Sequence, residues 1–222
     1  MKILICSATK KESEPFYNEL IDNILPDGSG ILFNNKHLIS FLTTGVGGTA
    51  TSYSLATFPE IKKYDFLIQI GIAGSYQKNI PTGSIVEVVS EQFGDLGAEN
   101  KDDTFLDVFE LELIEKNQFP FANAKLINPH PLTHLPKVNG VTVHKVLGTK
   151  NSINKMVCKY NPDVESMEGA GFFYSALMLG IPFCQIRGIS NKVEPRNRES
   201  WNIPLALKNL STETIKILQN LP

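Results

Sequence analysis

The residue types that could do chemistry are concentrated in one late segment, 164–198, which reads VESMEGAGFFYSALMLGIPFCQIRGISNKVEPRNR. Met167-Glu168 stands near the start of a predicted helix, 166–179, and a predicted strand, 183–189, carries Arg187 and ends at Ser190-Asn191. Ligands of open α/β sheets bind at strand ends, so polar residues closing an apolar strand suit recognition better than packing. The segment therefore predicts a site for a small, hydroxylated, aromatic ligand.

Two glycine-bearing turns are predicted after apolar strands, TGVGGT at 44–49 and GIAGS at 71–75. Glycines such as Gly74 let the backbone come close to a ligand, and the first turn leads into a helix whose N-terminus could face an anion or a polar group. Neither turn is a Walker sequence or a dinucleotide fingerprint. Tight turns that only pack a helix on a strand are the alternative interpretation.

Arginine is scarce, and all three arginines, Arg187, Arg196 and Arg198, lie in the late segment. An enzyme that binds phosphate as a nucleophile usually surrounds it with guanidinium groups and helix N-termini. The glycine turns have no arginine, which disfavours phosphate and favours water as the attacking group. Lysine or backbone amides could still bind an anion.

The elements that must position these residues alternate along the chain, which predicts an α/β fold with a parallel or mixed sheet in one domain, 1–222. The predicted strands are 2–6, 38–43, 66–70, 85–89, 141–146 and 183–189. The predicted helices are 12–21, 49–57, 104–116, 166–179 and 204–219.

Composition excludes several classes of function. The formal net charge is -2, without a basic stripe, so nucleic acid is not an expected partner. No apolar run is long enough for a signal peptide or a membrane span, so a cytoplasmic protein is expected. Cys6 and Cys184 lie in apolar strand patterns and are expected as buried thiols. His130 and His134 have no third ligand at metal spacing, so no metal site and no cofactor are expected.

Six motifs together resemble the purine nucleoside phosphorylase and nucleosidase superfamily. They are MKILICSAT followed by Glu12, TGVGG, IGIAGS, PTGSIVEV, ESMEGAG and IRGISN. This resemblance implies a three-layer phosphorylase/hydrolase-like fold, with a central mixed β-sheet flanked by helices. Within the superfamily, EQFGDLGAEN and SNKVEPRNRESW look most like the futalosine hydrolases of menaquinone biosynthesis. The implied reaction is hydrolysis of an N-ribosidic bond.

The resemblance also implies roles for individual residues. Glu168 would bind the ribose hydroxyls, Met167 would pack on the sugar, and Glu12 would orient or deprotonate the attacking water. Arg187 would lie near the water and Glu12. Taken alone, Glu12 is typical of a surface acid at a helix N-terminus and Met167 of a core residue.

Asn191 departs from the adenine nucleosidases, which have an aspartic acid at this position. An amide can donate to a 6-oxo group and accept from a protonated purine nitrogen seven, the pattern of hypoxanthine. Futalosine contains hypoxanthine, so this residue favours futalosine over methylthioadenosine. An asparagine that merely caps the strand end is the alternative.

A second departure is at 151–154, where adenine nucleosidases place a base-stacking aromatic residue and this chain has Ile153. Phe93 or Phe105 would then have to stack on the base. Arg196 or Arg198 could pair with the benzoate of futalosine, unless both belong to an exposed loop.

Other activities remain open: another purine nucleosidase, a purine nucleoside phosphorylase, or a nucleoside-binding protein without catalysis. The resemblance also implies a homodimer or larger homo-oligomer.

Overall fold

The computed structural model describes residues 1–221, which form a large mixed sheet between two layers of helices. The sheet strands are β1 (Lys2–Ser7), β2 (Ile31–Phe33), β3 (His37–Thr43), β4 (Phe66–Ser75), β5 (Ile85–Phe93), β8 (Phe121–Ala122), β9 (Lys125–Ile127), β10 (Lys137–Thr142), β11 (Val164–Ser166) and β12 (Phe183–Lys192). Strands β6 (Gly97–Glu99) and β7 (Phe105–Asp107) form a separate pair. The helices are α1 (Lys10–Leu20), α2 (Gly48–Thr57), α3 (Lys150–Tyr160), α4 (Gly169–Leu179) and α5 (Ile203–Asn220).

Parallel and antiparallel pairing both occur in the sheet. Strand β4 pairs in parallel with β1 and β12, whereas β12 pairs with β5 and β11 pairs with β4 in antiparallel fashion. Because β10 joins β5 to β11, the strands β4, β12, β5, β10 and β11 close into a circuit. The predicted central mixed sheet flanked by helices is confirmed.

Two apolar cores hold the layers together, one on each face of the sheet. Phe16 of α1 and Leu210 of α5 pack with strand residues such as Ile5 on one face. Leu55 of α2 and Phe172 of α4 belong to the core on the other face. Burial of these side chains supplies the main driving force for packing the helices on the sheet.

Several predicted elements differ from the observed ones. The predicted helix 104–116 is wrong: this segment forms β7 and turns, because Asp107 Oδ1 accepts from the backbone amides of Phe109 and Glu110. Helix α3 was not predicted because its sequence, KNSINKMVCKY, is mostly polar, although Ile153, Met156, Val157 and Tyr160 recur at helical spacing. The segment 71–75 is the end of β4 rather than a turn.

The boundaries of the helices and strands near residues 164–198 also differ from the predicted ones. The segment 164–166 forms a strand, so α4 begins at Gly169 and Glu168 is its N-cap residue. Strand β12 continues through Asn191 to Lys192, and β10 ends at Thr142, short of the predicted strand 141–146. Cys6 and Cys184 are buried free thiols, as predicted, and burial raises the pKa of both.

Candidate active site

A cavity of about 310 Å³ opens where the ends of β4, β11 and β12 meet the starts of α1, α4 and α5. It is lined by predicted site residues together with apolar side chains. The lining comprises Ala8, Thr9, Lys11, Glu12, Val46, Ile72, Ala73, Gly74, Val143, Val146, Glu165, Ser166, Met167, Glu168, Ser190, Asn191, Trp201, Ile203 and Leu207. Six of the predicted residues therefore share one cavity: Glu12, Gly74, Met167, Glu168, Ser190 and Asn191.

Glu12 is held by backbone and side-chain donors on two elements. It is the third residue after Thr9, the residue that begins α1, so its Oε2 reaches back to accept from the amide of Thr9 at 3.0 Å and from its hydroxyl at 3.1 Å. The other oxygen, Oε1, accepts from the amide of Ile72 in β4 at 3.1 Å. Three donors thus fix a half-buried carboxylate at the cavity wall.

Glu168 reaches the cavity because α2 and α4 pack closely. A Cβ at Gly171 would lie 2.4 Å from the carbonyl oxygen of Gly48, so only glycine permits this approach. The approach brings the backbone amide of Gly47, just before α2, to 3.0 Å from Glu168 Oε1. The glycine turn TGVGG therefore binds a carboxylate of the protein itself, near the N-terminus of a helix where negative charge is stabilised.

Arg187 lies behind the cavity wall and does not line the cavity. Its side chain is 1% exposed, its Nη1 is 3.7 Å from Glu168 Oε2, and its Nη2 donates to Gln69 Oε1 at 3.0 Å. Arg187 was predicted to lie near the water and Glu12; among the described residues, the carboxylate within ion-pair distance of Arg187 is Glu168. Arg187 and Glu12 both approach Gly71, where a Cβ would lie 2.5 Å from Arg187 Nη1 and 2.8 Å from Glu12 Oε1.

Asn191 enters the cavity through an irregularity in β12. The register of β12 against β4 shifts between Ile189 and Asn191, so one extra residue re-aims the side chains that follow. The Ser190 hydroxyl donates to Asn191 Oδ1 at 2.7 Å, and Asn191 Nδ2 donates to the carbonyl of Lys192 at 2.8 Å. An amide has two donor hydrogens and two acceptor lone pairs, so one of each remains for a ligand.

The other predicted binding residues lie outside this cavity. Phe93 packs in the core with its ring centroid 6.4 Å from that of Phe121, and Phe105 lies on β7 under Lys159. Arg196 borders a smaller adjoining cavity. Arg198 lies in an exposed turn, and neither it nor Ile153 contributes to the lining of the main cavity.

Two residues that line the cavity, Trp201 and Glu165, were not predicted from the sequence. Trp201 is the one aromatic side chain in the lining, counted over residues 1–221, and it is the only tryptophan of the chain. Glu165 is 5% exposed, and burial raises its pKa to about 7, although a hydrogen bond from Tyr76 opposes this shift. Glu165 stands in the mostly polar stretch NPDVES before Met167, which gave no signal of a buried acid.

Glu91 is a further buried acid, but it lies outside the cavity. Burial raises its pKa to about 8, against the opposing effects of Arg187 and of a hydrogen bond from the Thr142 hydroxyl at 2.9 Å. No group of three or more potential metal ligands occurs in residues 1–221. None of the helices within that range is both long and apolar enough to cross a bilayer.

The fold and the cavity agree with the comparison of the sequence with known families. The sequence pattern of the phosphorylase superfamily matches residues 29–220, so the chain belongs to this superfamily. The resemblance predicted from the motifs is confirmed at this level.

Individual relatives of the chain carry two different names, futalosine hydrolase and 5'-methylthioadenosine/S-adenosylhomocysteine nucleosidase. A futalosine hydrolase of Streptomyces coelicolor is 29% identical over 205 residues, covering 87% of this chain and 80% of the relative. A 5'-methylthioadenosine/S-adenosylhomocysteine nucleosidase of Buchnera aphidicola is 27% identical over 238 residues, covering 99% and 90%. The solved structure of a futalosine hydrolase mutant of Helicobacter pylori superposes with a TM-score of 0.79 at 15% identity over the whole of both chains, a similarity of fold.

Proposed function

We propose that this protein is a futalosine hydrolase, which cleaves the N-ribosidic bond of futalosine with water and releases hypoxanthine and dehypoxanthine futalosine for menaquinone biosynthesis. The observation that carries this proposal is the Asn191 amide in the cavity, oriented by Ser190 and the Lys192 carbonyl. Its remaining N–H can donate to the 6-oxo group of hypoxanthine, and its remaining lone pair can accept from nitrogen seven once that nitrogen is protonated. The relatives named futalosine hydrolase support the same substrate.

Two carboxylates, Glu168 and Glu12, would bind the sugar and the attacking water. Glu168, at the cavity wall beside Met167, has the acceptor oxygens needed for two ribose hydroxyls. Glu12 can accept a proton from water because its position is fixed by Thr9 and Ile72 before any ligand binds. Loss of the base leaves positive charge on the sugar, which both carboxylates stabilise.

Arg187 would act through Glu168 in this scheme. It is buried without solvent to screen its charge, and its Nη1 lies 3.7 Å from Glu168 Oε2. A positive charge so close in a medium of low dielectric constant attracts and orients the ribose-binding carboxylate. Arg187 is therefore a positioning residue rather than a group that contacts water.

Trp201 is the aromatic side chain best placed to contact the base. It lines the main cavity and also the smaller cavity that borders Asn191. An indole has a large apolar face and can stack on a purine, which replaces the role predicted for Phe93 or Phe105. Both phenylalanines lie outside the cavity.

Separation of the reaction products tests the proposal directly. Futalosine, aminofutalosine, methylthioadenosine and inosine are each incubated with the protein and chromatographed, with and without added phosphate. We expect hypoxanthine from futalosine without phosphate, and slower cleavage of aminofutalosine. Equal cleavage of the two would contradict the role of Asn191, a sugar phosphate would identify a phosphorylase, and binding without release of base would leave a nucleoside-binding protein.

The benzoate of futalosine requires a cation at the sugar end of the cavity. Lys11 lines the main cavity and also a second cavity of about 450 Å³ between α1 and α5, which shares Ile203 and Leu207 with the first. Arg196, in contrast, borders the small cavity beside Asn191, where we place the base. We therefore assign the carboxylate to Lys11 in preference to Arg196 or Arg198.

Kinetics of three alanine variants separate these assignments. Lys11→Ala is expected to raise the KM for futalosine about tenfold, the value of one exposed charge-assisted contact, and to leave the KM for inosine unchanged. Arg196→Ala and Arg198→Ala serve as matched comparisons. A selective rise of the futalosine KM in either arginine variant, with none in Lys11→Ala, would restore the assignment based on the sequence.

The homodimer or larger homo-oligomer implied by the resemblance stays a prediction. Large apolar side chains are exposed in residues 1–221, including Tyr53 at 70% and Leu113 at 71%, and a second copy could cover them. Sedimentation equilibrium tests this point, since a mass of 24.6 kDa would show a monomer.

A further inference from the structure

Glu165 and Asn191 converge on the same residue of β4 from opposite sides. Glu165 is the register partner of Gly74 in the β11 pairing, and Asn191 is its partner in the β12 pairing. A Cβ at Gly74 would lie 3.2 Å from Asn191 Nδ2 and 3.5 Å from Glu165 Cγ. Both polar residues therefore border the space at Gly74, where Val193 Cγ2 would lie 2.9 Å from the same Cβ, and both line the cavity.

The two oxygens of Glu165 have different environments. Oε2 accepts a hydrogen bond from the Tyr76 hydroxyl at 2.5 Å. Burial and the neighbouring carboxylate raise the pKa of Tyr76, so the phenol keeps its proton and acts as the donor. No donor of residues 1–221 forms a hydrogen bond with Oε1, although the residue lines the cavity. Oε1 is therefore the oxygen of Glu165 that is available to a ligand in the cavity.

Several charged groups line the same cavities as Glu165, but burial has the largest influence on its pKa. Lys11, Glu12 and Glu168 share the main cavity, and Lys192, Glu194 and Arg196 share the smaller adjoining cavity. Burial is the largest influence and raises the pKa of Glu165 to about 7, while the hydrogen bond from Tyr76 acts in the opposite direction. A carboxylic acid of this kind can hold a proton near neutral pH and release it to a base.

We propose that Glu165, in its neutral form, is the acid that protonates the departing purine in this protein. The inference deepens the proposed function and rests on it. Asn191 occupies the position beside the base but has no proton to give, whereas Glu165 reaches the same point of β4 from the neighbouring strand. Tyr76 holds Oε2, so Oε1 is the oxygen that carries the proton into the cavity.

The step balances with groups already present. The bond between the anomeric carbon and purine nitrogen nine breaks, and its electron pair moves into the base. Nitrogen seven receives the proton of Glu165 Oε1, and Asn191 Oδ1 accepts a hydrogen bond from the new N–H. Water forms the bond to the anomeric carbon and passes a proton to Glu12. Exchange with solvent then returns a proton to Glu165 and removes one from Glu12.

Glu165→Gln tests this role with little change in shape, because the amide oxygen can still accept from Tyr76. We expect kcat for futalosine to fall by about 10² to 10⁴, the usual contribution of a general acid. Hydrolysis of p-nitrophenyl β-riboside, whose leaving group departs without protonation, should fall less than about threefold on the same reasoning. Equal losses for both substrates would show a structural role and overturn the proposal.

The dependence of the rate on pH tests the role of Glu165 independently. Since Glu165 must be protonated to act, kcat/KM of the wild type should fall as the pH rises above about 7, and this alkaline limb should disappear in Glu165→Gln. Tyr76→Phe removes the hydrogen bond that lowers the pKa of Glu165, so the limb should move to higher pH. Glu91→Gln removes the other buried acid of raised pKa and should leave the limb in place.

These experiments test the role of Glu165 separately from the identity of the substrate. If the limb persists in Glu165→Gln, or disappears in Glu91→Gln, the assignment of Glu165 is wrong. If the wild type cleaves inosine but not futalosine, the proposed substrate fails, and the same comparisons with inosine still decide the role of Glu165.

Discussion

Glu12→Gln is expected to reduce kcat for futalosine by about 10³ to 10⁴, near the upper end for loss of a general base. Glutamine has almost the same shape as glutamate but cannot take a proton from water. The KM should change little, because Glu12 contacts the attacking water rather than the nucleoside. Steady-state kinetics with detection of hypoxanthine measures both constants.

The hydrogen bonds of Glu12 predict that Glu12→Gln also lowers the stability of the protein. Its two oxygens accept from three donors, the amide and hydroxyl of Thr9 and the amide of Ile72. A glutamine side chain must direct its NH₂ group at one of these donors, which costs about 1 to 3 kcal/mol for a buried unpaired group. We therefore expect a lower Tm as well as a lower kcat.

Glu14→Gln is the matched control for this substitution. Glu14 lies two residues further along α1 and is exposed, so the change removes the same charge from the same helix without touching Thr9 or Ile72. Its kcat should stay within about twofold of wild type, as is usual for exposed substitutions. A Glu12→Gln variant with more than a tenth of wild-type kcat would rule out the proton transfer to Glu12 and leave it only a water-positioning role.

Asn191→Asp is expected to reverse the preference between futalosine and aminofutalosine. A carboxylate has no N–H for a 6-oxo group, so kcat/KM for futalosine should fall by about 10 to 10², equivalent to one unpaired buried polar group. The same carboxylate accepts from a 6-amino group, so kcat/KM for aminofutalosine should rise. The ratio of the two should therefore change by about 10² to 10⁴.

The geometry around Asn191 explains why the variant should still fold. The Ser190 hydroxyl can donate to either aspartate oxygen as it now donates to Asn191 Oδ1. The carbonyl of Lys192 would lose its donor, which costs about 1 to 3 kcal/mol and leaves most of the stability of a typical domain in place. Asn220→Asp, an exposed change at the end of α5, is the control. An unchanged substrate ratio in Asn191→Asp would show that the amide does not read the base.

Local patterns predicted the elements that carry the site better than those around it. Apolar runs correctly indicated β1, β3, β4, β5 and β12, because buried strands need apolar side chains on both faces. The segment 104–116 failed because Asp107 competes for backbone amides that a helix would need. Helix α3 was missed because most of its residues are polar, although Ile153, Met156, Val157 and Tyr160 give it an apolar face.

Residue type and order determined which groups are available: Glu12, Glu168 and Asn191 were identified from the sequence, and the proposed preference for a 6-oxo base rests on the amide at 191. Tertiary structure alone decided which groups meet. Strand register places Glu165 and Asn191 on either side of Gly74, and the irregularity in β12 turns Asn191 into the cavity. Close packing at Gly48 and Gly171 brings Glu168 to the Gly47 amide and leaves Arg187 paired with Glu168. Such contacts join residues far apart in the chain, and they depend on pairing and packing that local periodicity does not encode.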